Sequence, residues 1–136
     1  MKRSRKTVIA AGLTCAAALQ QAHADVVVIV SAQSTATITA REISRVYLAE
    51  SNTMTPVDIT SPSLARREFY TKVIGKNEAQ VKARWSKLVF AGKVSTPKEL
   101  PSGAEVVKAV AADPNVIGYV DRSFVNMTVK VILTVK

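Results

Sequence analysis

Val57-Asp58-Ile59-Thr60-Ser61-Pro62-Ser63-Leu64-Ala65-Arg66-Arg67-Glu68-Phe69-Tyr70 changes its hydrophobic period partway along. As far as Ile59 it reads as a short buried strand. Beyond Pro62, Ala65, Phe69 and Val73 recur every fourth position with Leu64 beside them, which predicts a helix packing that face on a sheet. Thr60-Ser61-Pro62-Ser63 is the turn between them. Ser before Pro is a helix-start signal, because a hydroxyl caps free backbone N–H groups and Pro suits the first helical position. Hydroxyls and unpaired N–H groups meeting at a helix start also suit an anion. Thr60, Ser61 and Ser63 supply three hydroxyls where one cap suffices, and Arg66, one turn on, can fold back over an oxyanion. Arg67 projects about 100° away, as a surface residue. The plain alternative is a well-capped helix following a strand.

Toward the N-terminus, Val26-Val27-Val28-Ile29-Val30 is a continuous β-branched run, expected as a strand covered on both faces. Thr39-Ala40-Arg41-Glu42 is a capping box opening a helix with Ile43, Val46 and Tyr47 on one face. Toward the C-terminus, Gly75 ends the helix that began after Pro62. Asn77 and Gln80 cap the next one, whose apolar face is Val81, Trp85, Leu88 and Val89, and Gly92 closes it. Lys93 to Pro101 carries Pro97 and Pro101 and is expected as a loop. Ser102-Gly103-Ala104-Glu105 is another capping box, opening a short helix with Val106, Val107 and Val110 that stops before Pro114. Val116 to Val120 is a third strand, in which Gly118 marks a close approach by another backbone or a ligand. A fourth, Val129 to Val135, sets Val129, Val131, Leu133 and Val135 on one face, with Lys130 and Thr134 opposite, as at a sheet edge. The expectation is an α/β domain, a small mixed β-sheet of about four strands flanked by helices.

The ends and the composition narrow the function. Lys2, Arg3, Arg5 and Lys6 precede the apolar run Val8 to Leu19, and Ala22-His23-Ala24 is a small-x-small cleavage site. Residues 1–24 therefore read as a signal peptide, and 25–136 as one exported, periplasmic domain. The apolar run is shorter than the roughly 20 residues of a membrane span. Lipid attachment at Cys15 fits poorly, since Gly12-Leu13-Thr14 is not the Leu-small-small order it favours. Cleavage would remove Cys15 and His23, the only Cys and His of the chain, and with them thiol or imidazole catalysis and Cys/His zinc sites. No cofactor is expected. Four of the 19 basic residues lie in this segment, which leaves 15 against 10 acidic ones and a net charge of +5. That balance suits anionic solutes or surfaces; without a basic, aromatic-interleaved cluster it does not argue for nucleic acid.

Rival sites are weak. Ser95-Thr96-Pro97-Lys98 has the Ser-x-x-Lys spacing of serine acylases, but lies in a Pro-containing loop without the partner motifs. Asp113 and Asp121 are separated carboxylates of the kind that end helices, and Asn126-Met127-Thr128 is a glycosylation sequon behind a bacterial-type export signal. No enzymatic activity is expected.

Several short pieces carry a resemblance. They are Val26 to Val30, Ile43-Ser44-Arg45-Val46-Tyr47-Leu48, Pro56-Val57-Asp58, Arg67-Glu68-Phe69-Tyr70, Trp85-Ser86-Lys87-Leu88-Val89-Phe90-Ala91-Gly92 and Ile117-Gly118-Tyr119-Val120. In these the chain resembles the small, single-domain relatives of the periplasmic phosphate-binding proteins that serve ABC importers. The resemblance implies a single lobe of the periplasmic-binding-protein-like fold. It also implies binding of phosphate or a similar oxyanion at the Thr60–Ser63 turn, linked to ABC-type uptake; with Arg66 from the local reading, the expected anion site is Thr60, Ser61, Ser63 and Arg66. Ser61 and Ser63 are the residues it carries over to the phosphate-holding turn. Two departures stand out: the turn has no glycine, so its backbone wraps an anion less closely, and one lobe leaves a half-site open to water. A second expectation is therefore a periplasmic interaction or sensory module that keeps the lobe without its solute. Its partner would be a membrane transporter, another periplasmic protein or a second copy in a homodimer.

Overall fold

The computed structural model describes residues 24–136; the expected signal segment, with Cys15 and His23, falls outside the described residues except for Ala24. The elements are β1 (Val26–Ser31), α1 (Ala40–Tyr47), β2 (Thr55–Ile59), α2 (Leu64–Phe69) continuing as a π-helical turn (Tyr70–Ile74), α3 (Glu78–Phe90), β3 (Lys98–Leu100), α4 (Gly103–Ala112), β4 (Val116–Asp121), a 3-10 turn (Arg122–Phe124) and β5 (Val129–Thr134). The strands form one sheet in the order β3-β2-β4-β1-β5. β2 runs parallel to both β3 and β4, and β1 runs antiparallel to β4 and β5, so β1 alone opposes the rest.

Helices cover both faces. Gly118 and Tyr119 are successive residues of β4 and so point to opposite sides. On one side a Cβ at Gly118 would lie 2.7 Å from Val106 Cγ1 and 3.1 Å from Val110 Cγ2, which is how closely α4 lies on the sheet. The close approach expected at Gly118 is therefore made by the valines of α4. On the other side the Tyr119 ring stacks on Phe69 of α2 at 4.2 Å between centroids, and Tyr47 of α1 meets Phe69 edge-on at 4.7 Å. Every residue of β1 is buried, as its unbroken β-branched run requires. The Tyr47 hydroxyl donates to the carbonyls of Val57 and Ile117 and fixes α1 across β2 and β4.

Some expectations change in the folded chain. Among the described residues the sheet has five strands: Lys98–Leu100, inside the expected loop, pairs in parallel with Val57–Ile59. Three residues, two of them charged, are too few to show a period. In β5, Leu133 faces Val28 but Val131 faces Ile29, so Ile132 is an extra residue, and the bulge breaks the expected alternation. β5 is nevertheless an edge. Along α2 and its π-helical continuation the buried residues are Arg66, Phe69, Tyr70 and Ile74, with the predicted Ala65 and Val73 only partly covered. Of three capping boxes, only that of Asn77 and Gln80 has both arms. Thr39 and Ser102 accept from the N–H groups of Glu42 and Glu105, but Glu42 turns its carboxylate to Ser51, Thr53 and Arg45.

Candidate functional site

β2 and β3 end side by side, and the Thr60 N–H donates to the Leu100 carbonyl at 2.9 Å just beyond them. Beside the paired strands lies a cleft of about 910 Å³, bordered by the end of β2 and by the start of β3. Its floor is Asp58, Arg66 and Tyr70. One wall is the inner side of α3, with Glu78, Lys82 and Trp85, and the other is Thr96 to Glu99. Ser61, Arg66 and Tyr70 reach the cleft from beyond the carboxyl end of β2, where ligands of open α/β sheets bind, whereas β3 contributes its first residues, Lys98 and Glu99.

Arg66 organises the floor. Only 8% of the residue is exposed. Its Nη1 donates to the Ile59 carbonyl at 2.8 Å and to Glu99 Oε1 at 2.9 Å, and lies 3.7 Å from Asp58 Oδ2. Its Cζ sits 5.0 Å from the centre of the Tyr70 ring, a cation–π contact. The buried Nε–H has no hydrogen-bond partner and lies 3.7 Å from Glu78 Oε1. Burial opposes the guanidinium's charge, but Asp58 above all and then Glu99 hold it more firmly protonated than usual.

Beneath it, Asp58 accepts the hydroxyls of both Tyr70 and Tyr119 and the N–H of Ile59. Burial pushes the Asp58 carboxyl above its ordinary value, with the two tyrosines and Arg66 pulling the other way. Burial, and then the charge of Asp58, raise Tyr70 and Tyr119, which keeps both as donors.

Of the predicted site residues, Ser61 and Arg66 line the cleft, while Thr60 and Ser63 belong to the adjoining turn and do not line it. Ser63, not Ser61, is the N-cap of α2, its Oγ accepting from the Arg66 N–H at 3.1 Å, so Pro62 precedes the cap and does not occupy the first helical position. Ser61 Oγ donates to Glu78 Oε2 at 2.8 Å, and Thr60 Oγ1 donates to the Leu100 carbonyl at 3.3 Å. All three hydroxyls are thus engaged within the protein. Glu78 and Glu99 are site residues that the sequence did not single out. Glu78 reads there as an ordinary acidic first-turn residue, and Glu99 lies in the stretch expected as a loop. Arg66, Lys82 and Lys98 balance Asp58, Glu78 and Glu99 in formal charge around the cleft.

Of the rival sites, Asp113 and Asp121 take structural roles. Ser95 and Lys98 are exposed, Asp113 Oδ1 accepts from the Asn115 N–H, and Asp121 accepts from the N–H groups of Ser123 and Asp25. A second cleft of about 550 Å³ between α1, the π-helical turn and β5 is basic, but Arg45 and Lys72 in it are paired with Glu42 and Glu68. Among the described residues no group of His, Cys, Asp or Glu is arranged to hold a metal ion, and no helix is long and apolar enough to cross a membrane.

The fold is one lobe of the type found in phosphate-receptor proteins. An ABC-type phosphate transport receptor from Vibrio cholerae matches with a TM-score of 0.62 and 14% identity, over 80% of this chain and 45% of that one. A protein from Clostridium perfringens, assigned as a phosphate ABC transporter substrate-binding protein and solved with bound phosphate, matches with a TM-score of 0.64 and 15% identity, over 80% and 44%. PstS from Borrelia burgdorferi matches with a TM-score of 0.53 and 15% identity, over 71% and 40%. The chain thus spans less than half the length of each of these proteins. No protein-family model and no curated protein matches it.

Proposed function

We propose that the chain is an exported, non-catalytic, single-lobe binding domain that takes phosphate or a similar oxyanion weakly in the cleft beside β2 and β3. The observation that carries this reading is the Arg66 guanidinium, buried at the floor of the cleft with its Nε–H unpartnered. A buried donor without an acceptor is costly, and an arginine edge matches the oxygens of a phosphate or carboxylate. The fold shared with phosphate receptors supports the same ligand class. Ser61 joins Arg66 as a donor once its own partner is displaced, while Ser63 and Thr60 hold the turn in shape. Weakness follows from surroundings that hold three carboxylates about one guanidinium and from a half-site open to water, where each hydrogen bond contributes less.

The test is a titration with phosphate and with sulfate, followed by calorimetry and by the Arg66 Nε–H resonance. Saturable binding in the millimolar range that shifts this resonance is the expected result. A resonance unmoved by either anion at concentrations well above that range would overturn it.

One observation favours a second reading, an interaction module that docks on another periplasmic or membrane protein. α3 buries only Val81 and Trp85, and at its end Phe90 is 95% exposed beside a partly exposed Val89. Apolar surface of this kind marks contact sites. Cross-linking from position 90 to a membrane component, unaffected by phosphate, would support this reading over the first.

A further inference from the structure

The Glu78 carboxylate touches two of the groups assigned to the ligand. Oε2 accepts from Ser61 Oγ at 2.8 Å, and Oε1 lies 3.7 Å from the unpartnered Arg66 Nε. It spans them as two oxygens of an oxyanion would. Resting on the oxyanion reading above, we propose that Glu78 is a built-in competitor: its carboxylate holds the ligand's place between Ser61 and Arg66, and an incoming anion must displace it.

The local structure suits a displaceable occupant. Glu78 is the first residue of α3, and its side chain is 33% exposed, so rotation about its own bonds carries the carboxylate into water. Leaving does not unravel the helix start, because Asn77 and Gln80 cap it reciprocally without Glu78. The Nε contact is long for a hydrogen bond and leaves the donor unpaired, so the internal carboxylate is a poorer ligand for this edge than an anion free to approach it. Asp58 differs: 4% exposed and held by two tyrosines, it is part of the floor and cannot swing away. Glu99 pairs with the opposite side of the guanidinium, at Nη1, and leaves the Nε side to Glu78.

The experiment compares phosphate titrations of the wild-type protein, Glu78→Gln and Glu105→Gln. Glu105 lies in the first turn of α4, away from the cleft lining, and controls for the change in net charge. Removing a competing carboxylate within a few ångströms of the bound anion should tighten phosphate binding about tenfold in Glu78→Gln, with little change in Glu105→Gln. Binding that appears only in Glu78→Gln would support the competitor role while overturning weak binding by the wild-type protein. If the wild-type protein binds phosphate and Glu78→Gln binds it no more tightly, or both variants gain equally, the competitor role is overturned and the oxyanion site stands. If wild type and Glu78→Gln both fail to bind, the site and its competitor fall together. Circular dichroism of the variants confirms that each keeps the fold.

Discussion

Replacing Tyr119 by Phe isolates the polar network under the cleft from the packing around it. The Tyr119 ring is fully buried and stacks on Phe69 at 4.2 Å between centroids, and Phe preserves those contacts. What disappears is the hydroxyl, which donates to Asp58 Oδ1 and accepts from the Ile59 N–H at 3.2 Å. The N–H keeps its contact with Asp58 at 3.1 Å, so the main loss is a hydrogen bond to a buried carboxylate. Such bonds contribute about 1.5–3 kcal/mol, and the expected destabilisation at neutral pH is about 2 kcal/mol. In urea unfolding, with a slope of about 1–3 kcal/mol per M for a small domain, the midpoint should fall by roughly 1 M at unchanged slope.

The pH dependence supplies the sharper test. Asp58 is raised in the folded protein, so the stability its protonation contributes is present below the unfolded value of about 3.9 and lost as pH rises through the folded value. Removing a hydroxyl that favours the carboxylate raises the folded value further. The cost of Tyr119→Phe should therefore grow from acid to neutral pH. A cost below about 0.5 kcal/mol at neutral pH, or one that is the same at both ends of the range, would refute the assigned hydrogen bond as a charged one.

Other substitutions test separate parts of the structure. Gly118→Ala places a methyl 2.7 Å from Val106 Cγ1 and 3.1 Å from Val57 Cγ2 and should cost about 1–3 kcal/mol by overpacking, read from urea unfolding. Ser63→Ala should cost about 1 kcal/mol as a lost helix cap, seen in thermal unfolding. It should leave phosphate affinity unchanged, and a drop in affinity would put that hydroxyl on the ligand instead. Trp85→Phe removes the Nε1–H bond to the Tyr47 carbonyl at 2.8 Å, one of few ties between α3 and the body. Amide exchange should then speed up in α3 while β1 and β4 remain protected.

The pattern of apolar residues in the chain determines most of the fold. The β-branched run of β1, the helical spacings after Thr39 and Asn77, and Pro114 before β4 each report a local preference that the tertiary structure leaves in place. The turn at Thr60–Ser63 was legible for the same reason, since capping is a local property, although the cap is Ser63 and not Ser61. What each hydroxyl and charge does there was decided only by folding. Glu78 and Glu99 are 12 and 33 residues beyond Arg66 in the chain, yet they converge on it through α3 and through a three-residue strand with no period of its own. Tyr119, from a strand further on still, supplies the hydroxyl beneath Asp58. Electrostatic contacts of this kind depend on distance in space and carry no periodic trace along the sequence, so only the tertiary structure reveals that Arg66 is already surrounded by carboxylates.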